Sequence, residues 1–282
     1  MKTLGYYNGK YAEIDEMTIP MNDRVCWFGD GVYDATCAGN YVIFNLEEHI
    51  DRFYNSAKLL SIKIPMDKRE LADLLTDLVR KLDSPDQFVY WQVTRGTAPR
   101  SHAFPEGPAN LWVTCRPAGI GDMEHTRLKL ITVEDTRFLH CNIKTLNLLP
   151  SVMAAQKTAE AGADEAVFYR PGSRVTECAH SNVHMIKDGV FRTAPTDNLI
   201  LPGIARAHLI KMCRKLEIPV VEEPFTLDEL MAADEVIVSS SSNFCMQAVE
   251  IDGKPVGEKA PELLRALQHE LLEEYLEYTN QK

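Results

Sequence analysis

The stretch Pro117-Ala118-Gly119-Ile120-Gly121-Asp122 most constrains how this chain can fold, because proline and glycine gathered there interrupt any regular element. It divides 282 residues into an expected smaller domain over 1–118, a linker over 119–123 and a larger domain over 124–282. Each part is long enough to bury a core of its own. In the first part, Tyr6–Tyr11 reads as a hairpin about Asn8-Gly9, both of whose turn positions need positive φ. Leu46, Ile50, Phe53, Ala57 and Leu60 keep a helical period, and a second amphipathic helix is expected at about 68–82. Strands rich in aromatic and β-branched residues are expected at 87–94 and 110–115. In the second part the expected order is a strand at 128–134, a helix at 151–161, a strand at 164–169 and a hairpin over 183–193. A helix opens at Pro202-Gly203, Thr226 and Glu229 make a capping box, a strand covers 235–238, and an amphipathic helix covers 261–278.

Composition narrows the partners. A formal net charge of −11 argues against nucleic acid and anionic membrane surfaces. Seven cysteines are scattered without a C-x-x-C pair, so reduced thiols in a cytoplasmic setting are expected, with neither a disulfide frame nor a metal site. The N-terminus lacks a signal-like apolar core, and no run reaches membrane-spanning length.

Several residues stand out for chemistry. Lys144 sits among Ile143, Leu146, Leu148 and Leu149, with only neutral Asn142, Thr145 and Asn147 as polar company. In a dry setting a lysine loses proton affinity and becomes a nucleophile able to form a Schiff base; in water it is an ordinary surface cation. Gly29-Asp30-Gly31 is either a plain turn or a bend that delivers Tyr33 to a defined place. Arg52 lies beside the buried stripe of its helix, where it can point inward or snorkel to solvent. After the strand at 87–94, a loop carries Arg95, Arg100 and His102; an extended backbone would point the last two the same way, as a clamp for a carboxylate. Glu177 has small or neutral neighbours and needs a cationic or N–H partner. The helix start at Ile204 and Ala205 offers free N–H groups to an anion, and Ser239–Ser242 could line the same place. His180 is either a core histidine or a site residue.

Taken in order, Arg24, F-G-D-G-V-Y (28–33), E-H-I-D-R-F (48–53), V-T-R-G-T-A-P-R-S-H (93–102), I-K-T-L-N-L-L (143–149), V-T-E (175–177), S-N-V (181–183), P-G-I-A-R (202–206) and V-S-S-S-S (238–242) closely resemble the fold-type IV pyridoxal-phosphate enzymes. Within them the pattern looks most like the D-amino-acid aminotransferases. The resemblance implies an α/β two-domain fold with pyridoxal 5'-phosphate held between the domains, and a homodimer. It implies Lys144 as the Schiff-base lysine and proton shuttle, and Glu177 as partner of the pyridine nitrogen. Arg52, the N–H groups of Ile204 and Ala205, and Ser240 and Ser241 would hold the cofactor phosphate, with His180 close to the cofactor. Tyr33, Arg100 and His102 would bind the substrate carboxylate. The implied reaction moves an amino group from D-alanine or a similar D-amino acid to 2-oxoglutarate. An L-branched-chain aminotransferase or an aminodeoxychorismate lyase shares the scaffold, and a non-catalytic pyridoxal-phosphate carrier is a reading of another class. Ala205, where the family usually has threonine, and Cys178-Ala179-His180, where serines usually follow the glutamate, bear on substrate range.

Overall fold

Residues 1–280 are described by the computed structural model, whose chain divides into two units. The first comprises 1–120, 143–147 and, at the C-terminal end, 275–280; the second comprises 121–142 and 148–274. The lysine segment and the end of the C-terminal helix therefore belong with the first unit, a division that a single cut at 119–123 does not describe.

The first unit is built on a six-stranded sheet. Its strands are β1 (Leu4–Tyr7), β2 (Lys10–Ala12), β3 (Gly31–Gly39), β4 (Val42–Ile43), β5 (Gln87–Thr94) and β6 (Asn110–Pro117), in the order β2-β1-β6-β5-β3-β4. Asn8 and Gly9 take positive φ, as the hairpin turn requires. Three helices accompany the sheet: α1 (Arg24–Phe28), α2 (Leu46–Leu59) and α3 (Lys68–Val79). The last starts at a capping box in which Asp67 accepts from the Glu70 N–H and Glu70 returns the bond. The period seen in α2 is the one that buries Ile50, Phe53 and Ala57 against Trp91, Val93 and Leu111. Strand β3 has buried residues on both faces, with Tyr33 its only partly exposed member. It shows no alternation of apolar and polar residues, which is why the sequence reads there as a bend alone.

The second unit carries a nine-stranded sheet. In chain order its elements are β7 (Arg127–Glu134), α4 (Leu149–Glu160), β8 (Glu165–Arg170), β9 (Arg174–Cys178), β10 (Asn182–Lys187), β11 (Val190–Thr193), α5 (Ile204–Lys215), β12 (Val220–Glu222), α6 (Leu227–Met231), β13 (Glu235–Ser239), β14 (Met246–Ile251), β15 (Lys254–Pro255) and the part of α7 (Pro261–Asn280) before Tyr275. The sheet order is β12-β11-β10-β13-β14-β7-β8-β9, with β15 on β14. The pairs β11 with β12, β14 with β7 and β7 with β8 are parallel and the other neighbours antiparallel, so the α/β class holds in a mixed form. The expected capping box of α6 forms, Thr226 and Glu229 each accepting from the other's backbone N–H.

Gly31 opens β3 in close quarters. A Cβ built there would meet the Val93 carbonyl oxygen at 2.4 Å and Leu146 Cδ1 at 2.6 Å. Gly31→Ala is expected to cost about 1–3 kcal/mol through overpacking, read as a lowered melting temperature. An unchanged melt would show that β3 can shift to accept a methyl group.

Candidate active site

Segment 143–147 of the first unit is laid along the start of β3. The Tyr33 N–H donates to the Lys144 carbonyl at 2.9 Å, and the Leu146 N–H donates to the Gly31 carbonyl at 3.0 Å. From α2, Ser56 Oγ accepts the Lys144 N–H at 3.2 Å, and Ile143 is buried in the core of the unit. With its backbone held on both sides, Lys144 projects its Nζ over the Tyr33 ring, 4.3 Å from the centroid. The lysine is half-buried and makes no ion pair with a carboxylate among the described residues. Tyr33 in turn stacks on Tyr90 at 5.3 Å, whose hydroxyl donates to Gln92 Oε1 at 2.7 Å.

On the other face of β3, Asp34 is fully buried. It accepts from Arg52 Nε at 2.9 Å and Arg52 Nη2 at 2.7 Å, and His49 Nδ1 lies 2.7 Å away. Burial works against the Asp34 charge, but the Arg52 and His49 contacts outweigh it and hold the carboxyl well below its usual range. Arg52 thus points inward, its guanidinium oriented by an aspartate that the sequence reading passed over.

Arg100 and His102 lie on an exposed loop, each 5.2 Å from the Phe28 ring. Neither makes a hydrogen bond or ring contact with Tyr33 or Lys144 among the described residues. What shapes their loop is Arg24, which donates to the carbonyls of Ser101 (2.6 Å) and Ala103 (3.3 Å) and to Asp30 Oδ2 (2.7 Å). Asp30 also takes Arg95 Nε, at 2.9 Å. The Gly-Asp-Gly bend is therefore more than a turn: its aspartate joins two arginines that pin the loop.

In the second unit Glu177 is buried on β9. Its Oε2 accepts from Asn182 Nδ2 at 2.9 Å and the Leu201 N–H at 3.0 Å, and Arg137 donates to Oε1. The cationic and N–H partners that its setting demands are all present. Asn182 also joins this acid to the start of α5, for its Nδ2 donates to the Leu201 carbonyl at 3.2 Å. A Cβ on Gly203 would stand 2.0 Å from Asn182 Oδ1, so glycine is what lets the chain enter α5 here. Gly203 caps the helix without a side chain, and the first N–H groups, those of buried Ile204 and Ala205, form the positive end of a 12-residue dipole. Ser240 and Ser241 are half-buried in a tight turn closed by the Ser240 N–H on the Asn243 carbonyl at 2.8 Å. Under that turn, His184 is fully buried between Thr193 Oγ1 and Ser239 Oγ, each at 2.8 Å. His180 is an exposed histidine paired with the buried Glu165, which also accepts from Ser181 Oγ at 2.8 Å. Arg137 escaped the sequence reading, since an arginine in a loop between a strand and the lysine segment carries no pattern of its own.

Comparison with known proteins adds to this geometry. The family model described as amino-transferase class IV matches residues 31–251. A D-alanine aminotransferase of Listeria monocytogenes is 41% identical over 90% of this chain and 90% of its own. One from Bacillus licheniformis is 39% identical over 97% and 98%. Among solved structures, a T.th. branched-chain amino acid aminotransferase with pyridoxamine 5'-phosphate has a TM-score of 0.88 at 27% identity, covering 99% of this chain and 95% of its own.

Burial, with the Arg206 charge nearby, pushes the His184 ring down to about 3. An unfolded chain takes up a proton near the ordinary value of about 6.5, whereas the folded one refuses it until far lower. Stability from this group is thus complete above that ordinary value and is lost as pH falls toward the folded one. The melting temperature is expected to decline on acidification below about pH 6.5, with a flatter slope in His184→Gln. An identical slope in the variant would assign the decline to other groups.

Proposed function

The chain belongs to amino-transferase class IV, and on that premise we propose that it transfers the amino group of a D-amino acid, D-alanine in the first instance, to 2-oxoglutarate. Lys144 carries the reading: a half-buried amine set over the Tyr33 ring, with no carboxylate to neutralise it among the described residues. The 39–41% identity to D-alanine aminotransferases supports the D-amino acid over the branched-chain amino acid of the 27%-identical structural neighbour.

The residues present fit pyridoxal 5'-phosphate, the cofactor of this class. They offer an amine without an ion-pair partner among the described residues, a buried acid held by Asn182, the Leu201 N–H and Arg137, and a helix start that Gly203 opens without a side chain. The chemistry supplied by the bound cofactor is an electron sink for the substrate Cα. Lys144 would hold the cofactor covalently through Nζ and, once displaced by the substrate amine, would carry the proton from the substrate Cα to the cofactor carbon that receives the amino group. Glu177 would keep a proton on the pyridine nitrogen. The N–H groups of Ile204 and Ala205, with Ser240 and Ser241, would take the phosphate, joined by Arg52, two of whose N–H donors Asp34 already uses for orientation. Tyr33, Arg100 and His102 would receive the substrate carboxylate, and His180 would border the cofactor. A homodimer is supported by exposed apolar side chains in each unit: Met21 and Phe104 in the first, and Leu149, Val152 and Met153 in the second. Cytoplasmic residence is supported by the seven free cysteines.

Borohydride reduction of the cofactor-loaded protein, followed by peptide mapping, is expected to place the pyridoxyl group on Lys144. A label elsewhere, or none, would remove the central assignment. In single half-reactions D-alanine is expected to convert the bound cofactor to its amine form while L-leucine does not. The reverse result would favour the branched-chain reading.

A further inference from the structure

One oxygen of Glu177 ends a row of buried charges that the activity proposed above does not use. Arg170 Nε and Thr176 Oγ1 each donate to Asp135 Oδ2 at 3.0 Å. Arg137 grips the same carboxylate with Nε on Oδ1 and Nη2 on Oδ2, both at 2.9 Å, and extends Nη1 to Glu177 Oε1. Read along the row, the charges are cation, anion, cation, anion. The Asp135 side chain has no exposed surface, and the Arg137 side chain is 13% exposed and covers the Phe168 ring at 4.6 Å.

We propose that Arg137, anchored by Asp135, is a positioning residue for Glu177, setting the tilt of its carboxylate and keeping it anionic toward the cofactor's ring nitrogen. This rests on the reading of Glu177 as partner of that nitrogen. A carboxylate as buried as Glu177 takes up a proton unless a cation and hydrogen bonds oppose it. Arg137 supplies the cation, while Asn182 and the Leu201 N–H fix the other oxygen. Only a planar guanidinium can face two carboxylates in fixed directions at once, because a lysine ammonium is a point charge on a flexible stem. Asp135 has a separate task. An uncompensated Arg137 would draw all of the Glu177 charge to itself and repel a protonated ring nitrogen. With its own anion behind it, Arg137 orients Glu177 and leaves it negative. The pairing is mutual: burial works against both charges, yet hydrogen bonds and charge from Arg137 hold the Asp135 carboxyl below its usual range, and those from Asp135 and Glu177 raise the guanidinium.

The test uses the cofactor-loaded enzyme and compares Arg137→Ala, Arg137→Lys, Asp135→Asn and Glu177→Gln for cofactor dissociation constant and visible absorption maximum. Arg137→Ala is expected to weaken cofactor binding by about 10–100-fold, the range by which loss of an orienting partner weakens a ligand's grip. It should also move the absorption maximum in the same sense as Glu177→Gln. Arg137→Lys should fall between wild type and alanine, and Asp135→Asn should shift both readouts in that sense by less. Wild-type affinity and absorption in both Arg137 variants, alongside a changed Glu177→Gln, would overturn the proposal and leave Arg137 a structural residue. Wild-type behaviour of Glu177→Gln would instead remove the ring-nitrogen reading, and the positioning role with it. If Arg137→Ala fails to fold, Arg137→Lys decides alone, and wild-type values in it overturn the proposal.

Discussion

The backbone hydrogen bonds between 143–147 and β3 are the constraint on which the site in the first unit depends. They run from Tyr33 to the Lys144 carbonyl and from Leu146 to the Gly31 carbonyl. Because each bond involves main-chain atoms, the origin of the lysine side chain and that of Tyr33 are set by one ladder and cannot drift apart. Buried Ile143 and the Ser56 hydroxyl close off the other directions. A flexible side chain of four methylenes thereby starts from a fixed point beside a fixed aromatic face, which removes much of the entropy that a free lysine would lose on being ordered.

Most regular elements were legible in the sequence, because helical period and turn chemistry are local signals. The Asn8-Gly9 hairpin, α2, β5 and the capping box of α6 all stand where those signals place them. Elements defined by what lies around them were not legible. Strand β3 is buried on both faces and has no alternation to show, and β14 and the short β12 lack a pattern of their own. The same split holds for side chains. Lys144 and Glu177 could be singled out because a charge among apolar or neutral neighbours is visible in one dimension. Asp34, Arg137 and Asn182 could not, since their significance is the partner that folding brings to them from 18, 40 and 5 residues away, respectively.

Both units bury charge in the same manner. In the first, Asp34 is closed over by Arg52 and His49; in the second, Asp135 is closed over by Arg137 and Arg170. A buried ion pair contributes little net stability over well-packed apolar groups, because desolvating two ions offsets most of their attraction. Breaking one is another matter, since the surviving charge is left without either water or a partner. Such pairs therefore act less as a source of stability than as a means of allowing one orientation and penalising the rest. That suits arginines whose direction matters more than their presence.

The loop that carries Arg100 and His102 is held differently. Arg24 grips it through the carbonyls of Ser101 and Ala103, atoms that every amino acid supplies. Its outline is thus written in the main chain, while the side chains at 100 and 102 are exposed and meet only the Phe28 ring among the contacts described. Positions of that kind can be exchanged over evolutionary time without redrawing the loop, so the chain can trial new ligand chemistries there while its scaffold stays as it is.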